Sequence, residues 1–421
     1  MIESHDTGSS VVQETPLDNG LWVLSQDVPY VRTVSVGLWM RTGSRHEGPG
    51  EAGASHFIEH LLFKGTRKKS AKEISEEIDL LGGYMNAFTA KEHTCLYAKV
   101  PREHFKSTLE LMGEMLLEPL FDPVDIDRER QVVMEEIATY EDNPEGVVHD
   151  LFYSALWPSH PLGRPVLGEP ETLLGLGRDT LLDFFHRHYT PGRMVLSAVG
   201  RLDHGEVLAE TSRILGGKGR VTSPWEFCPP AAASCQTQCY RDTEQVHICM
   251  GFPTVPMEHP DVYPLLLLGE IMGGSASSRL FQRVREDLGL VYSIYSSASH
   301  YSDGGTFLAY AGSSPGRWHE VRELITQEIS SMRREGITPR ELRRAKAQVI
   351  GGLMLSLEST SSRMGRIGKT KLLLGRVVTT EESASRVEAV SLEDVNRVAA
   401  EVLSPEHEAL AILGPIEGTG G

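Results

Sequence analysis

The feature that most constrains this chain is a faint internal repeat, because the order of elements expected for residues 20–215 recurs over residues 240–416. A strand-like alternation runs through TVSVGLWM, Thr33 to Met40, and again through QVHICMGF, Gln245 to Phe252. Apolar helices, a hairpin, two long helices and a closing helix and strand then follow in both copies. A repeated order of this kind predicts two copies of one domain.

The paired segments also indicate the fold class. The predicted hairpins are Leu80 to Val100 and Leu288 to Gly312. The long helices of the first copy are EHFKSTLELMGEMLLEP and DIDRERQVVMEEIATYE, and those of the second are RWHEVRELITQEISSMRREG and TPRELRRAKAQVIGGLMLSLE. Strands interleaved with helix pairs predict an α+β fold, in which each of two homologous domains packs helices on a mostly antiparallel sheet.

The boundary between the copies is expected in the segment from Gly216 to Thr243, which is rich in Gly, Pro and Ser and lacks sustained periodicity. The length of 421 residues agrees, since single hydrophobic cores stop growing at roughly 250–300 residues. We therefore predict a metal-binding catalytic domain over 1–215, a linker over 216–243 and a homologous domain without metal over 244–421.

Composition excludes several classes of protein. No stretch approaches the roughly 20 apolar residues that span a bilayer, so no membrane segment is expected. The amino-terminal segment lacks the basic start and apolar run of a secretory signal, and a cytoplasmic location is expected by default. The formal charge of −17 disfavours nucleic-acid binding and makes a basic partner or substrate the expected one.

The strongest chemical signal is His56-Phe57-Ile58-Glu59-His60, in a segment that looks like a helix entered after a Gly-rich loop and stopped at Gly65. At about 100° per residue, His56, Glu59 and His60 share one helical face. Two neutral imidazoles spaced in this way can bind one zinc ion, and a carboxylate beside them can take a proton from water that the ion activates. The motif predicts a metal centre with Glu59 as general base.

A catalytic site of this kind needs a third protein ligand on a separate element. In DIDRERQVVMEEIATYE, Glu129 and Glu136 share a helical face, whereas Glu135 points about 100° away. We assign Glu136 to the metal and Glu129 to a supporting position, from which a carboxylate orients a ligand or the attacking water.

HFIEHLLFKGT, followed downstream by Glu136 in ERQVVMEEI, resembles the inverzincin family of pitrilysin, insulin-degrading enzyme and the catalytic subunit of mitochondrial processing peptidase. Length and duplication resemble the shorter, processing-peptidase-like branch. The resemblance implies a zinc endopeptidase with one Zn²⁺ per chain, bound by the residues at 56, 60 and 136, with Glu59 as base and Glu129 assisting. It also implies a closed chamber of four homologous domains from two subunits, as a homodimer or with a homologous partner.

The resemblance adds residues that spacing alone does not reveal. Asn86 and Ala87, in YMNAFTAKEHT, match the edge strand along which the family's substrate backbone pairs. Arg285 and Tyr292, in REDLGLVY, match a pair that reaches the substrate near the scissile carbonyl, where donors stabilise a developing oxyanion.

Two other functions remain open from the sequence. A structural or partner subunit of the same fold would be catalytically silent, although such relatives usually lack the zinc ligands that this chain has. A peptide-binding protein would capture an extended segment by strand addition without cleaving it. The expected substrate of the enzyme is a short or unfolded polypeptide.

Overall fold

A computed structural model describes residues 11–217 and 228–416 of the chain. The described residues form eleven strands and fourteen α-helices. The strands are β1 (Gln13–Pro16), β2 (Trp22–Asp27), β3 (Thr33–Met40), β4 (Tyr84–Thr89), β5 (Thr94–Pro101), β6 (Met194–Gly200), β7 (Gln236–Tyr240), β8 (Val246–Thr254), β9 (Val291–His300), β10 (Gly305–Ser313) and β11 (Ala409–Gly414).

The helices of the first half are α1 (Ala54–Leu61), α2 (Ala71–Leu80), α3 (Phe105–Leu117), α4 (Pro123–Glu141), α5 (Pro144–Leu156), α6 (Pro170–Gly175), α7 (Arg178–His188) and α8 (His204–Leu215). Those of the second half are α9 (Val262–Gly269), α10 (Trp318–Glu335), α11 (Pro339–Ser356), α12 (Thr360–Leu374), α13 (Thr380–Ala389) and α14 (Leu392–Val402). None of these helices combines the length and apolar character needed to cross a membrane.

The strands form two sheets with the same internal order. The first sheet runs β1-β2-β6-β3-β5-β4, and the second runs β7-β11-β8-β10-β9. In both, one parallel pair, β2 with β6 or β7 with β11, is followed by three antiparallel pairs. The first sheet differs only by the added edge strand β1, which pairs with β2. The predicted α+β fold with two homologous, mostly antiparallel sheets is confirmed.

The compact units of the structure do not follow the order of the chain. One unit comprises the described parts of Met1–Val133, Val166–Pro224 and Ser356–Thr379, and the other comprises those of Met134–Pro165, Trp225–Leu355 and Thr380–Gly421. Helix α5, from the first half of the sequence, thus belongs with the second sheet, and α12, from the second half, belongs with the first. The predicted division at 216–243 assigns both α5 and α12 to the wrong unit. Part of the predicted linker, residues 218–227, lies outside the described residues.

In the first unit, α12 packs closely on β3 and β6. Trp39 donates from Nε1 to Ser197 Oγ at 2.9 Å, and Ser197 Oγ donates to the carbonyl of Met364 in α12 at 3.1 Å. At Gly368, the next turn of the helix, a Cβ would lie 2.2 Å from Trp39 Nε1. Only glycine therefore permits this helix to lie so close to the sheet.

In the second unit, α5 covers one face of the sheet in the same way. Phe152 and Leu156 are fully buried against Cys249, Leu308 and the alanines of β11. A Cβ at Gly251 of β8 would lie 2.8 Å from Phe152 Cζ. The opposite face packs against α9, α10 and α14 through a second apolar cluster that includes Ile248 and Met250.

Most predicted elements are present, with two differences. Gln236–Tyr240, in the predicted linker, form strand β7 and pair with β11, so the linker prediction is wrong there. The other difference lies at the candidate metal helix. The strand predicted from Thr33 to Met40 is β3, and both hairpins and all four long helices are present. The metal helix, however, ends at Leu61 instead of continuing to Gly65, and the chain then turns through Phe63 and Lys64, whose amides donate to His60 and Leu61.

Substitution of Gly368 by alanine tests the contact between α12 and the first sheet. An alanine normally favours a helix by about 1 kcal/mol over glycine, but here its methyl group would enter the space of Trp39. We expect Gly368→Ala to lower the free energy of unfolding by about 1–3 kcal/mol in urea denaturation. The matched control is Gly365→Ala in the same helix, where a Cβ meets nothing within 4 Å and stability should be kept or increased. Equal effects of the two substitutions would show that α12 does not dock in this way.

Candidate metal centre

Helix α1 begins where a buried carboxylate accepts its first amides. Glu47 is 3% exposed, and its Oε2 and Oε1 accept hydrogen bonds from the amides of Gly53 and Ser55, each at 2.8 Å. These amides have no intrahelical acceptor, and the negative charge suits the positive end of the helix. Gly53 has a φ of 91°, and a Cβ there would lie 2.9 Å from the carbonyl of Leu167. The start of α1 is thus fixed by one carboxylate and one obligatory glycine.

The structure brings the three candidate metal ligands together. Single ligand atoms of His56, His60 and Glu136 lie within 4.8 Å of one another. The two imidazoles come from successive turns of α1, and their ring centroids are 4.7 Å apart. Glu136 lies on α4, which the division into compact units cuts between Val133 and Met134. Because α4 is continuous from Pro123 to Glu141, its earlier turns hold Glu136 beside α1.

Glu129 connects α4 to the second histidine. Its Oε2 lies 3.4 Å from Nδ1 of His60, and its Oε1 lies 2.8 Å from Nζ of Lys64. An ionised carboxylate only accepts hydrogen bonds, so Nδ1 of a neutral His60 donates, and its Nε2 carries the lone pair that binds a metal. Glu129 is 6% exposed, so the ammonium of Lys64 also compensates its buried charge. Glu129 therefore contacts His60, and its supporting role at a metal stays a prediction.

Burial keeps the first histidine in the form that binds metals. Two causes lower the pKa of His56 to about 4: desolvation by burial, which is the larger, and the electrostatic effect of the neighbouring His60. The ring is therefore neutral near pH 7, and its lone pair can be donated to a cation without first losing a proton.

Glu59 is held by a residue of the neighbouring strand. The hydroxyl of Thr89, the last residue of β4, donates to Oε2 of Glu59 at 2.6 Å. The candidate base thus lies between the two histidines in sequence and in contact with the end of β4. Strand β4 is in turn the edge of the first sheet, next to β5.

The residues predicted to bind the substrate backbone lie on this edge. Asn86 is exposed, whereas Ala87 is buried, with 7% of its surface exposed. The amide of Ala87 donates to Oδ1 of the Asn86 side chain at 2.8 Å. Their role in substrate binding stays a prediction, and the edge position that strand addition requires is present.

Arg285 and Tyr292 lie together in the second unit. Arg285 belongs to a π-helical segment, Phe281–Asp287, and its guanidinium carbon lies 4.7 Å from the ring centroid of Phe281 and 5.2 Å from that of Tyr292. Tyr292, at the start of β9, is 78% exposed. The exposed Tyr292 and the half-buried Arg285 could offer hydrogen-bond donors to a ligand. Its action on a substrate stays a prediction.

In the second copy of the repeat, the described segment that corresponds to α1 contains no histidine. The segment DVYPLLLLGEIMGG forms α9 and a π-helical turn, Glu270–Gly274, instead of a helix with histidines. In residues 11–217 and 228–416, no further group of three His, Cys, Asp or Glu side chains is close enough to hold one ion.

Sequence reasoning missed three residues of the site. Lys64 was detectable, because it follows His60 by about one helical turn and an acidic partner on α4 was already expected. Thr89 and Glu47 had no such signal. The contact of Thr89 depends on the register of β4 against β5, and Glu47 acts from a loop whose path the sequence does not show.

Comparison with protein families agrees with the duplicated architecture. The model described as Insulinase (Peptidase family M16) matches residues 22–170, which contain the candidate metal centre. The model described as Peptidase M16 inactive domain matches residues 175–349.

Relatives extend this similarity over nearly the whole chain. A Bacillus subtilis protein described as an uncharacterized zinc protease is 41% identical over 408 residues, which cover 96% of this chain and 98% of that protein. A protein of the same description from Streptomyces coelicolor is 38% identical, with 97% and 91% covered, and one from Mycobacterium tuberculosis is 40% identical, with 96% and 93% covered.

Two solved structures share the fold. A protease from Helicobacter pylori superposes with a TM-score of 0.91 at 22% identity, covering 96% of this chain and 100% of that chain. A peptidase M16 inactive domain from Pseudomonas fluorescens superposes with a TM-score of 0.90 at 19% identity, covering 97% and 99%. At these identities the similarity concerns the fold alone.

Substitution of Glu47 tests how the metal helix is held. A glutamine keeps one acceptor oxygen but turns an amino group toward the other backbone amide. We expect Glu47→Gln to lower the free energy of unfolding by about 1–3 kcal/mol in urea denaturation of the metal-free protein. The control is Glu73→Gln. Glu73 closes the capping box of α2 at an exposed position, so this substitution should lower the free energy of unfolding distinctly less. Similar losses in both variants would contradict the assignment.

Buried His93, in the β4–β5 turn, predicts a pH dependence of stability. Two causes lower the pKa of His93 to about 3: burial, which is the larger, and the positive charge of Lys369. The pKa of a histidine in an unfolded chain is about 6.5. Below pH 6.5 the unfolded chain binds a proton that the folded chain does not, so the free energy of unfolding falls as pH falls from about 6.5 toward 3. The limiting contribution of this ring is about 1.4 kcal/mol per pH unit.

In His93→Phe, the free energy of unfolding should change less with pH, because the contribution of one histidine is removed. Denaturant titrations between pH 5 and pH 7 would measure this change. The phenylalanine keeps a ring beside Trp39 and Phe88, whose centroids lie 5.7 and 5.8 Å from that of His93. An unchanged slope in the variant would show that His93 titrates normally in the folded protein.

Proposed function

The chain belongs to the insulinase family of M16 peptidases, and from this premise we propose that it is a zinc-dependent endopeptidase. It hydrolyses peptide bonds of short or unfolded polypeptides. The proposal is carried by one observation, the approach of ligand atoms from His56, His60 and Glu136 to within 4.8 Å of one another. Two imidazoles and one carboxylate are a donor set of catalytic zinc sites, and the relatives described above are named zinc proteases.

The metal centre would hold one Zn²⁺ per chain. The neutral ring of His56, the Nε2 lone pair of His60 and the carboxylate of Glu136 would bind it. Bound zinc supplies a Lewis acid that polarises the scissile carbonyl and lowers the pKa of water to about 7. Glu129 keeps His60 in the correct tautomer, and Lys64 holds Glu129 in place.

The protein's own residues carry the proton and orient the peptide. Glu59, on the same helical face as both histidines, accepts the proton of the attacking water and returns it to the leaving amine. An extended substrate pairs with the edge strand β4 at Asn86 and Ala87, where main-chain hydrogen bonds bind it without regard to most side chains. Arg285 and Tyr292 donate to the carbonyl oxygen as negative charge develops on it.

The assembly and the substrate preference complete the proposal. Four homologous domains, two from each subunit of a homodimer or of a heterodimer with a related chain, enclose the substrate in a chamber. The charge of −17 favours basic segments in the cleaved polypeptide.

Substitutions at three neighbouring carboxylates test the mechanism. Glu59→Gln should retain one zinc per chain in metal analysis, yet its turnover of a fluorogenic peptide should fall by about 100-fold or more, because no base remains. Glu136→Gln should lose both zinc and turnover. The matched control is Glu135→Gln, since Glu135 is exposed on the adjacent position of α4 and should leave both unchanged.

A chelator should abolish wild-type cleavage, and added zinc should restore it. Wild-type turnover in Glu59→Gln would eliminate Glu59 as the base. Zinc binding without any cleavage by the wild-type protein would instead indicate a catalytically silent subunit or a peptide-binding protein of the same fold.

A further inference from the structure

The carboxylate of Glu59 is held by a hydroxyl of the neighbouring strand. Oε2 accepts a hydrogen bond from the hydroxyl of Thr89 at 2.6 Å. The direction of this bond is certain for an ionised carboxylate, which has no proton to donate. We propose that Thr89 is a positioning residue for catalysis, whose hydroxyl holds the carboxylate of Glu59 in the orientation from which it takes the proton of the attacking water. This inference rests on the proposed role of Glu59 as base.

The strength of this contact suits a positioning role. A hydrogen bond from a neutral hydroxyl to a charged carboxylate is roughly twice as strong as one between neutral groups. The bond from Thr89 therefore restricts the rotation of the carboxylate of Glu59 and keeps it in one orientation.

Thr89 is itself held by the hairpin. It lies opposite Thr94 in the register of β4 and β5, and the two hydroxyl oxygens are 3.4 Å apart. Thr94 is fully buried and donates its proton to the carbonyl of Thr42 at 2.9 Å. The hydroxyl of Thr89 thus has a short, charged acceptor in Glu59 and only a distant, neutral one in Thr94. Its proton is directed to Glu59.

Thr89 is suited to orient Glu59 because it belongs to a regular strand, β4. Threonine is branched at Cβ, so few χ1 values are open to its hydroxyl. Misplacement of a catalytic group by about 1 Å can cost about 100-fold in rate, which is the order of effect that a lost contact to the base can have. A purely structural role would instead show in the stability of the hairpin.

Substitutions of Thr89 by valine and by serine separate these roles. Thr89→Val keeps the shape and the branch but removes the donor, whereas Thr89→Ser keeps the donor. For a fluorogenic peptide, we expect Thr89→Val to lower kcat by about 10- to 100-fold, with KM and the zinc content per chain unchanged within about twofold. Thr89→Ser should recover kcat to within about fivefold of the wild-type value. The control is Thr139→Val, which removes an exposed hydroxyl that donates to the carbonyl of Glu135 on α4 and should leave kcat unchanged.

The proposal is overturned if Thr89→Val keeps wild-type kcat, if it changes KM or zinc content instead of kcat, or if Thr89→Ser is as slow as Thr89→Val. A Thr89→Val protein that does not fold leaves the decision to Thr89→Ser and Thr89→Cys, of which only serine should restore the rate, since a thiol is a weak donor. Failure of the proposed function has a different signature. In that case the zinc-loaded wild-type protein does not cleave, and the role of Thr89 falls with it.

Discussion

Each sheet buries one of its faces under a helix that comes from the other half of the sequence, and the rest of the fold depends on this packing. The first sheet is covered by α12 and the second by α5. The contacts are too close for substitution, since Gly368 meets Trp39 and Gly251 meets Phe152 without room for a Cβ. A sheet with two apolar faces is stable only when both are covered, so neither half of the sequence can complete its own core.

The candidate metal centre rests on shorter-range constraints. Helix α1 has only eight residues, and most stability of such a short helix must come from its surroundings. Glu47 fixes its first turn, and Glu129 connects its last turn to α4. Glu136 lies on α4 about two helical turns after Glu129. Because the helix is continuous, the contact of Glu129 with His60 also fixes where Glu136 lies, which is near the two histidines. The base is held from a third direction, by Thr89 at the end of β4.

The sequence was sufficient for the periodic elements and for the cluster of ligands, and insufficient for contacts made by loops and by strand register. Helices α4 and α10 have clear patterns of apolar residues, because each buries one face along its length. Strand β3 was recognisable from its apolar residues, although the structure buries both of its faces and not the single face that its alternation predicted. The same patterns do not say which sheet a helix covers, and the amphipathic segments that became α5 and α12 were therefore not placed. His56, Glu59 and His60 were identifiable because helical spacing alone brings them to one face, and Glu136 because it shares a face with Glu129. Glu47 and Thr89 depend on a loop path and on a register, which no local pattern encodes.

The exchange of α5 and α12 has a consequence for biosynthesis. A ribosome releases the strands of the first sheet long before residues 356–379, so the emerging chain must carry an uncovered apolar face around Trp39 until most of the polypeptide has been made. Pairings between residues so distant in the chain slow folding and prolong exposure to aggregation. A nascent chain truncated before α12 would lack a native cover for this face, which makes it a natural client for chaperones that bind exposed hydrophobic surface during translation.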